Sequence, residues 1–538
     1  MMLTVSQAVK NGLLRDGVTP YSNVDPILAA EKVMQGSFIF PYVGELDVSK
    51  NNEINWQPVF EDNRASKELW FYSFVFLDYL IKAYVITNHD SFWEKAVEFY
   101  FSYQNWKTAT AESNVKLFND EHAVTNRSLV FSQFLHVATK KSDARLYEQL
   151  GNDLKSHADW LMQDEHYVYN NHGVMMDRAL LNAYTQLREL SNSMIISVSP
   201  SELWLEKALF RLNMMIEKTF DSKGCCTENS PSYHMLNLSL FGAIDSFLRK
   251  NNVENASFNS KLKLALDAAN FMIHEDGTLP LIGDSENKAS VYVPDSLHKG
   301  KYGVGFFPES GFSIVKEKDF FLTFKCGGSS FSHRHIDDTS ITLRVGGLDF
   351  ICDGGMYNYD NSNELRRYFI SHNAHSGFFP ASASTVLFKD FETANDLANT
   401  TKFASDNYSI LIEGESFYNS NTAFTRKLRV EKKSTLSYGD ISITDSFESP
   451  ESEKWIVQFL LHPKVEVSKS GNGFMLRRDH ISVFISFCIE SAHEIKVESA
   501  FYSPSYLLSE KTSILKVTGE SKKLRMMTWL SFLTKESL

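Results

Sequence analysis

A chain of 538 residues is too long for one ordinary core, because single cores stop growing near ~250–300 residues, so two domains are expected. Hydrophobic residues make up 43% and aromatics 13%, against 13 Pro and 26 Gly, which excludes the disordered and low-complexity classes. A net charge of −12 provides no global positive field for nucleic acid or an anionic membrane.

The first residues, MMLTVSQAVKNGLLRDGV, scatter Lys10 and Arg15 among polar positions. They lack the apolar run of about 7–15 residues that a secretory signal needs, so a cytoplasmic location is expected, with the periplasm as alternative. Leu69 to Val85 is the most apolar helical stretch, but Asp78 and Lys82 interrupt it and it falls short of the ~20 residues of a membrane span. One buried helix is expected there. From about residue 65 to 275 the apolar period is helical, most clearly at 92–104, 174–191, 202–219 and 260–273. Short polar links between long helices give antiparallel hairpins, hence a solenoid or a closed α/α toroid, and the absence of a fixed period disfavours the solenoid.

After DGTLPLIGDSENKASVYVPD (276–295) the pattern changes to short runs of β-branched and aromatic residues at 320–326, 340–352, 408–414, 441–447, 453–462, 481–489 and 494–502. Strand following strand without helices predicts an antiparallel β-sandwich. The chain therefore reads as α+β and multidomain, an N-terminal (α/α) toroid over 1–290 and a C-terminal sandwich over 291–538. Five cysteines (Cys225, Cys226, Cys326, Cys352, Cys488), odd in number and without CxxC spacing, imply neither a disulfide framework nor a cysteine zinc site.

Four clusters could carry chemistry. SSFSHRHIDDTS (329–340) places His333 and His335 at i and i+2, on one face if the segment is a strand. Asp353 before Gly354-Gly355, and His375 beyond a loop, complete a nitrogen and oxygen set for zinc; solvated or locally bonded side chains read equally well. YNNHGVMMDRALL (169–181) sets Asn171 and His172 before an amphipathic helix, where such residues also serve as caps. In CTENSPSYHMLNLSL (226–240) Tyr233 stands at a helix start and is by default a core aromatic. NDEHAVTNRSL (119–129) offers His122 and Arg127, the latter suited to a carboxylate or to a surface ion pair.

Taken in order, NNHG, ENSPSYH, DGTLPLIGDSE, ESGFSIV, HRHIDD, DGGMYNY and AHS resemble the heparinase II/III family of polysaccharide lyases, which includes alginate oligosaccharide lyases. The resemblance implies a lyase that cleaves a uronate-containing glycan by β-elimination. It implies that Asn171 and His172 neutralise the uronate carboxylate, that Tyr233 is acid or base, and that His333 lies opposite it. His335, Asp353 and His375 would hold a structural zinc, with His372 the competitor of His375. Tyr357 or Tyr359 would supply a second tyrosine, and His122 and Arg127 would contact substrate. The expected partner is an acidic polysaccharide or oligosaccharide, with no nucleic acid and no membrane span, and a homodimer is compatible with the pattern. A glycoside hydrolase would need two carboxylates, for which Glu121, Glu228, Asp284 and Glu286 are available. A non-catalytic glycan-binding or assembly factor of a surface-glycan pathway has no use for an acid and a base together.

Overall fold

The computed structural model describes residues 3–15, 24–41, 43–50, 53–61, 64–109, 116–287, 297, 301–328, 330, 332–385, 398–418, 422–431, 438–491 and 493–533. Two compact units emerge, one formed by Met1–Met215 with Leu240–Asn255, the other by Ile216–Ser239 with Ala256–Leu538. The boundary expected at 290/291 lies outside the described residues. The change from helix to strand falls between Ala256–Met272 and Gly303–Phe307.

The first unit is helical. Its helices start where side chains can take up orphan backbone N–H groups. Asp25 accepts from Ile27 and Leu28 ahead of Pro26–Met34, and Asp120 accepts from His122 and Ala123 at the start of Glu121–Lys141. Glu121–Lys141 packs on Ala144–Leu161 and Asn171–Asn192, and it is buried along most of its length.

The expected helix over Leu69 to Val85 is two helices. Arg64–Tyr72 and Val75–Thr87 meet at 45° about Phe74, whose φ is 58°. A left-handed phenylalanine opposes local preference, but its ring is fully buried against Trp56, Tyr103 and Phe131, and that packing outweighs the backbone cost. Asp78 and Lys82 bond to each other at 2.5 Å on the second helix, so the two charges are buried as a pair. No single helix among the described residues is long and apolar enough to cross a membrane.

The second unit holds two antiparallel sheets. Gly303–Phe307, Phe312–Lys316, Phe320–Lys325, Ser340–Val345 and Leu348–Ile351 form a five-stranded meander. The ten-stranded sheet is organised around Tyr438–Leu460 paired with Leu508–Leu533. The expected strands at 441–447 and 453–462 are thus one strand, with a register irregularity between Glu448 and Glu453. Alternating burial along Phe424–Glu431 turns one face inward, where Phe424 and Leu428 share a core with Phe324 and Leu343 of the smaller sheet.

Candidate active site and metal group

Within the second unit, three segments far apart in sequence converge. Pro231–Lys250 opens with Pro231 at its first position, where a missing N–H costs nothing, and this sets Tyr233 in the first turn. Ser230 ties that turn to the 284–285 segment through its hydroxyl, 3.0 Å from the Asp284 carbonyl and 2.8 Å from Ser285 Oγ. Asn229 donates to the carbonyls of Ser330 at 2.7 Å and Ser332 at 3.2 Å, joining it to the histidine loop. Gly283 is required at the crossing: a β-carbon there would lie 2.5 Å from the Asn229 carbonyl oxygen and 2.6 Å from that of His333.

His333 and His335 sit in a loop, which corrects the expectation of one strand face. His333 has φ 57°, a left-handed conformation in which histidine is over-represented among non-glycine residues. Its ring stacks face to face on that of Tyr233, with centroids 3.4 Å apart and planes 16° apart. The Tyr233 hydroxyl is 2.9 Å from that of Tyr359. Of the two expected tyrosines, Tyr359 therefore joins Tyr233, while Tyr357 stacks against Phe369 at 6.1 Å. Burial pushes the Tyr233 hydroxyl well above the ordinary phenol range, reinforced by Tyr359 and the carboxylates of Asp284 and Glu228, so Tyr233 rests as a protonated donor.

Asp284 is the centre of the arrangement. It is 2% exposed, its Oδ2 is 3.0 Å from His333 Nδ1, its Oδ1 is 2.9 Å from His335 Nε2, and Arg366 donates to both oxygens. Burial alone would raise its pKa; bonds from His333, His335 and Arg366 overcome that and hold the carboxyl well below the ordinary range. With both oxygens engaged, Asp284 cannot serve as one of a hydrolase's two working carboxylates. His333 Nε2, on the other edge of the ring, is 3.6 Å from Glu228 Oε2. Arg366 was not expected in the site, and Asp284 was expected only as one of a hydrolase's carboxylates, although its GDSE belongs to one of the family motifs and RRYF lies beside another. A carboxylate shared by two histidines 49 and 51 positions later has no local pattern.

His335, Asp353 and His375 bring one donor atom each within 4.8 Å of one another, all three buried. His375 Nδ1 lies 2.9 Å from Asp353 Oδ2, while His335 Nδ1 and His375 Nε2 have no protein partner. Two orphaned imidazole nitrogens beside a buried carboxylate fit a metal ion, because each would otherwise bear an uncompensated desolvation cost. His372 stands outside this group, its ring packed on Phe379 and Tyr418 at 4.8 and 4.9 Å.

The remaining expected residues belong to the first unit. Asn170 caps Asn171–Asn192 by accepting from the His172 N–H, which leaves Asn171 and His172 in the first turn. His172 Nδ1 is 3.3 Å from Glu121 Oε1, and its ring centroid is 4.8 Å from that of His122. Burial, aided by His172, lowers the His122 pKa to about 4, so His122 is neutral near pH 7. Arg127 is not a substrate contact. It is 1% exposed, donates to the Tyr72 and Phe118 carbonyls at 2.9 and 3.1 Å, and lies 4.0 Å over the Phe118 ring. The candidate for carboxylate binding is a core strut: its Nη1 serves both buried carbonyls, and its Nε faces His157 Nε2 at 3.2 Å.

The chain matches the heparinase II/III N-terminus family over residues 26–311 and the heparinase II/III-like C-terminal family over 299–530. A mutant of heparan sulfate lyase HepC from Pedobacter heparinus is similar in fold, with 16% identity, a TM-score of 0.77, and 98% of this chain and 88% of that chain covered. Unaltered HepC gives 16%, 0.74, 99% and 88%, and heparinase III gives 14%, 0.70, 98% and 88%. No curated protein matches in sequence. The helix-then-sheet order, the family motifs in sequence and an N-terminal match spanning more than half of the chain together place this protein in the heparinase II/III family.

Proposed function

We propose that the protein is a polysaccharide lyase that cleaves a uronate-containing glycan by β-elimination, with Tyr233 and His333 as its proton-transfer groups. The observation that carries this reading is the stack of the Tyr233 phenol on an imidazole whose Nδ1 is fixed by Asp284. Fixing Nδ1 as the protonated nitrogen leaves Nε2 as the atom that can accept a proton. In a 4-linked hexuronate the C5 proton is α to a carboxylate. Its removal by His333 Nε2 builds negative charge on the carboxylate, and Glu228 then faces the imidazolium that forms. Tyr233, held protonated, donates to the glycosidic oxygen as the C4–O bond breaks. By their place in the motif we assign Asn171 and His172 the donation of hydrogen bonds to the carboxylate, bonds that strengthen as charge develops.

We further assign zinc to His335, Asp353 and His375, with a structural role. A zinc ion there would clamp the histidine loop to the 353 and 375 segments, while the protein groups above carry out the proton transfers. Heparan sulfate, the substrate in the name of HepC, is the first glycan to test, followed by alginate and hyaluronan. Lyase action gives an unsaturated product with ultraviolet absorbance, and cleavage without absorbance would mean hydrolysis. Elemental analysis of purified protein checks the metal; zinc-free protein of unchanged thermal stability would reject that assignment.

A further inference from the structure

The hairpin joining His493–Ser505 to Leu508–Leu533 turns at Tyr506 and Leu507, and its tip is fastened beside the Tyr233 site in the same unit. The Tyr506 N–H donates to Glu286 Oε1 at 3.0 Å, the Leu507 N–H to the Tyr357 carbonyl at 2.7 Å, and the Ser503 N–H to the Gly354 carbonyl at 2.9 Å. The Asn287 N–H donates to the Pro504 carbonyl at 2.8 Å. Gly355, at φ 73°, leaves no room for a side chain, since a β-carbon would lie 2.2 Å from the Ser503 carbonyl oxygen. Leu507 is held at φ 59°, a left-handed conformation that a branched side chain keeps only where the surroundings enforce it.

So rigid a tip would be expected to bury its side chains, yet Tyr506 is 50% exposed. The Tyr506 ring lies 6.1 Å from that of Tyr359, tilted by 33°, and Tyr359 in turn bonds Tyr233. A row of aromatic rings thus runs from the proton-transfer pair out to a half-exposed phenol on an immobile support. A pyranose offers an apolar face of C–H bonds, and a flat, preordered ring is the side chain that covers such a face at least entropic cost.

We infer that Tyr506 is a sugar-stacking platform that binds a pyranose of the glycan next to the residue being cleaved. This rests on the lyase reading for the identity of the neighbouring site, but not for the stacking itself. Tyr506→Ala removes the ring while the backbone bonds that pin the tip remain; Tyr506→Phe keeps the ring and loses only the hydroxyl. On whichever of heparan sulfate, alginate and hyaluronan is cleaved, Tyr506→Ala raises KM about tenfold, with kcat changing far less, and Tyr506→Phe restores KM. An unchanged KM in Tyr506→Ala overturns the platform, as does a Tyr506→Phe as impaired as the alanine variant. If none of the three is cleaved, calorimetric binding of their size-fractionated oligosaccharides is compared between the unaltered chain and Tyr506→Ala. Tenfold weaker binding in the variant then keeps the platform and rejects the lyase reading. Equal binding, or no binding of any oligosaccharide by the unaltered chain, rejects the platform.

Discussion

Two groups of histidines invite comparison. In the first unit His122 and His172 pair near Glu121 at two helix N-termini, where Asp120 and Asn170, each two positions away, take up their backbone N–H groups. In the second unit His333 and His335 converge on Asp284, and Arg366 crosses 82 positions to complete the set. The first arrangement is made by helix capping, the second by tertiary crossing of loops. Each histidine of the first pair is set by the cap of its own helix within one short motif, although 51 positions separate His172 from Glu121; in the second, no short motif contains both a histidine and the Asp284 that holds it.

The widest predicted separation between the two comes from the proton donor. Tyr233→Phe keeps the stacked ring, so it should fold normally and lose about 10²–10⁴-fold in turnover, general acid–base groups being worth that much. Near-normal rates on a confirmed substrate would return Tyr233 to an ordinary half-buried aromatic. Arg366→Ala breaks the tertiary crossing itself. It leaves Asp284 buried without its cation, and removing one partner of a buried pair costs about 3–5 kcal/mol, read as a lowered midpoint in denaturant melts. A melt like that of the parent chain would show that His333 and His335 alone suffice to hold Asp284.

In the first unit the corresponding change is Asn171→Ala. Its cap is Asn170, so stability should barely move, while kcat falls by the 10²–10³-fold typical of losing one preorganised donor. A large stability loss with normal kcat would make Asn171 structural. Acid sharpens the comparison least, because both units carry a buried histidine. The pKa of His122 is lowered to about 4 by burial and His172, and that of His234, wholly buried, is lowered to about 4 by burial. As pH falls from about 6.5 to 4 the unfolded chain takes up protons that the folded chain refuses, so stability drops by up to about 1.4 kcal/mol per unit for each such group. The histidine contribution levels off below about pH 4, where the depressed Asp284 carboxyl, protonated first in the unfolded chain, begins to cost stability in its turn. Melting at stepped pH checks it, and His234→Gln should flatten the dependence.

The long helices, the switch to strands and the family motifs were readable because each depends on residues close in sequence. Tyr233 at a helix start was legible for the same reason, whereas the grouping of His335, Asp353 and His375, on three separate segments, was decided only through the family resemblance. Three failures have physical causes. Helical periodicity through Leu69 to Val85 carried no sign that packing would bend Phe74 into a left-handed turn. His333 and His335 matched strand spacing, but the left-handed backbone at 333 and the crossing at Gly283 put them in a loop. Arg127 carried the charge of a substrate contact, and only the fold revealed the carbonyls of Tyr72 and Phe118 that consume its donors.

The left-handed backbone at His333 also makes chemical complementation accessible. Glycine accepts φ 57° more readily than histidine does, so His333→Gly relaxes the loop while opening a slot the size of an imidazole over the Tyr233 ring. Free imidazole at millimolar concentration can enter that slot and work as an untethered base, and activity rising with added imidazole but not with added pyrrole would identify the ring's chemistry apart from its tether. Few side chains can be deleted with their backbone left more comfortable than before; here the fold holds a reagent in a posture its own chain resists.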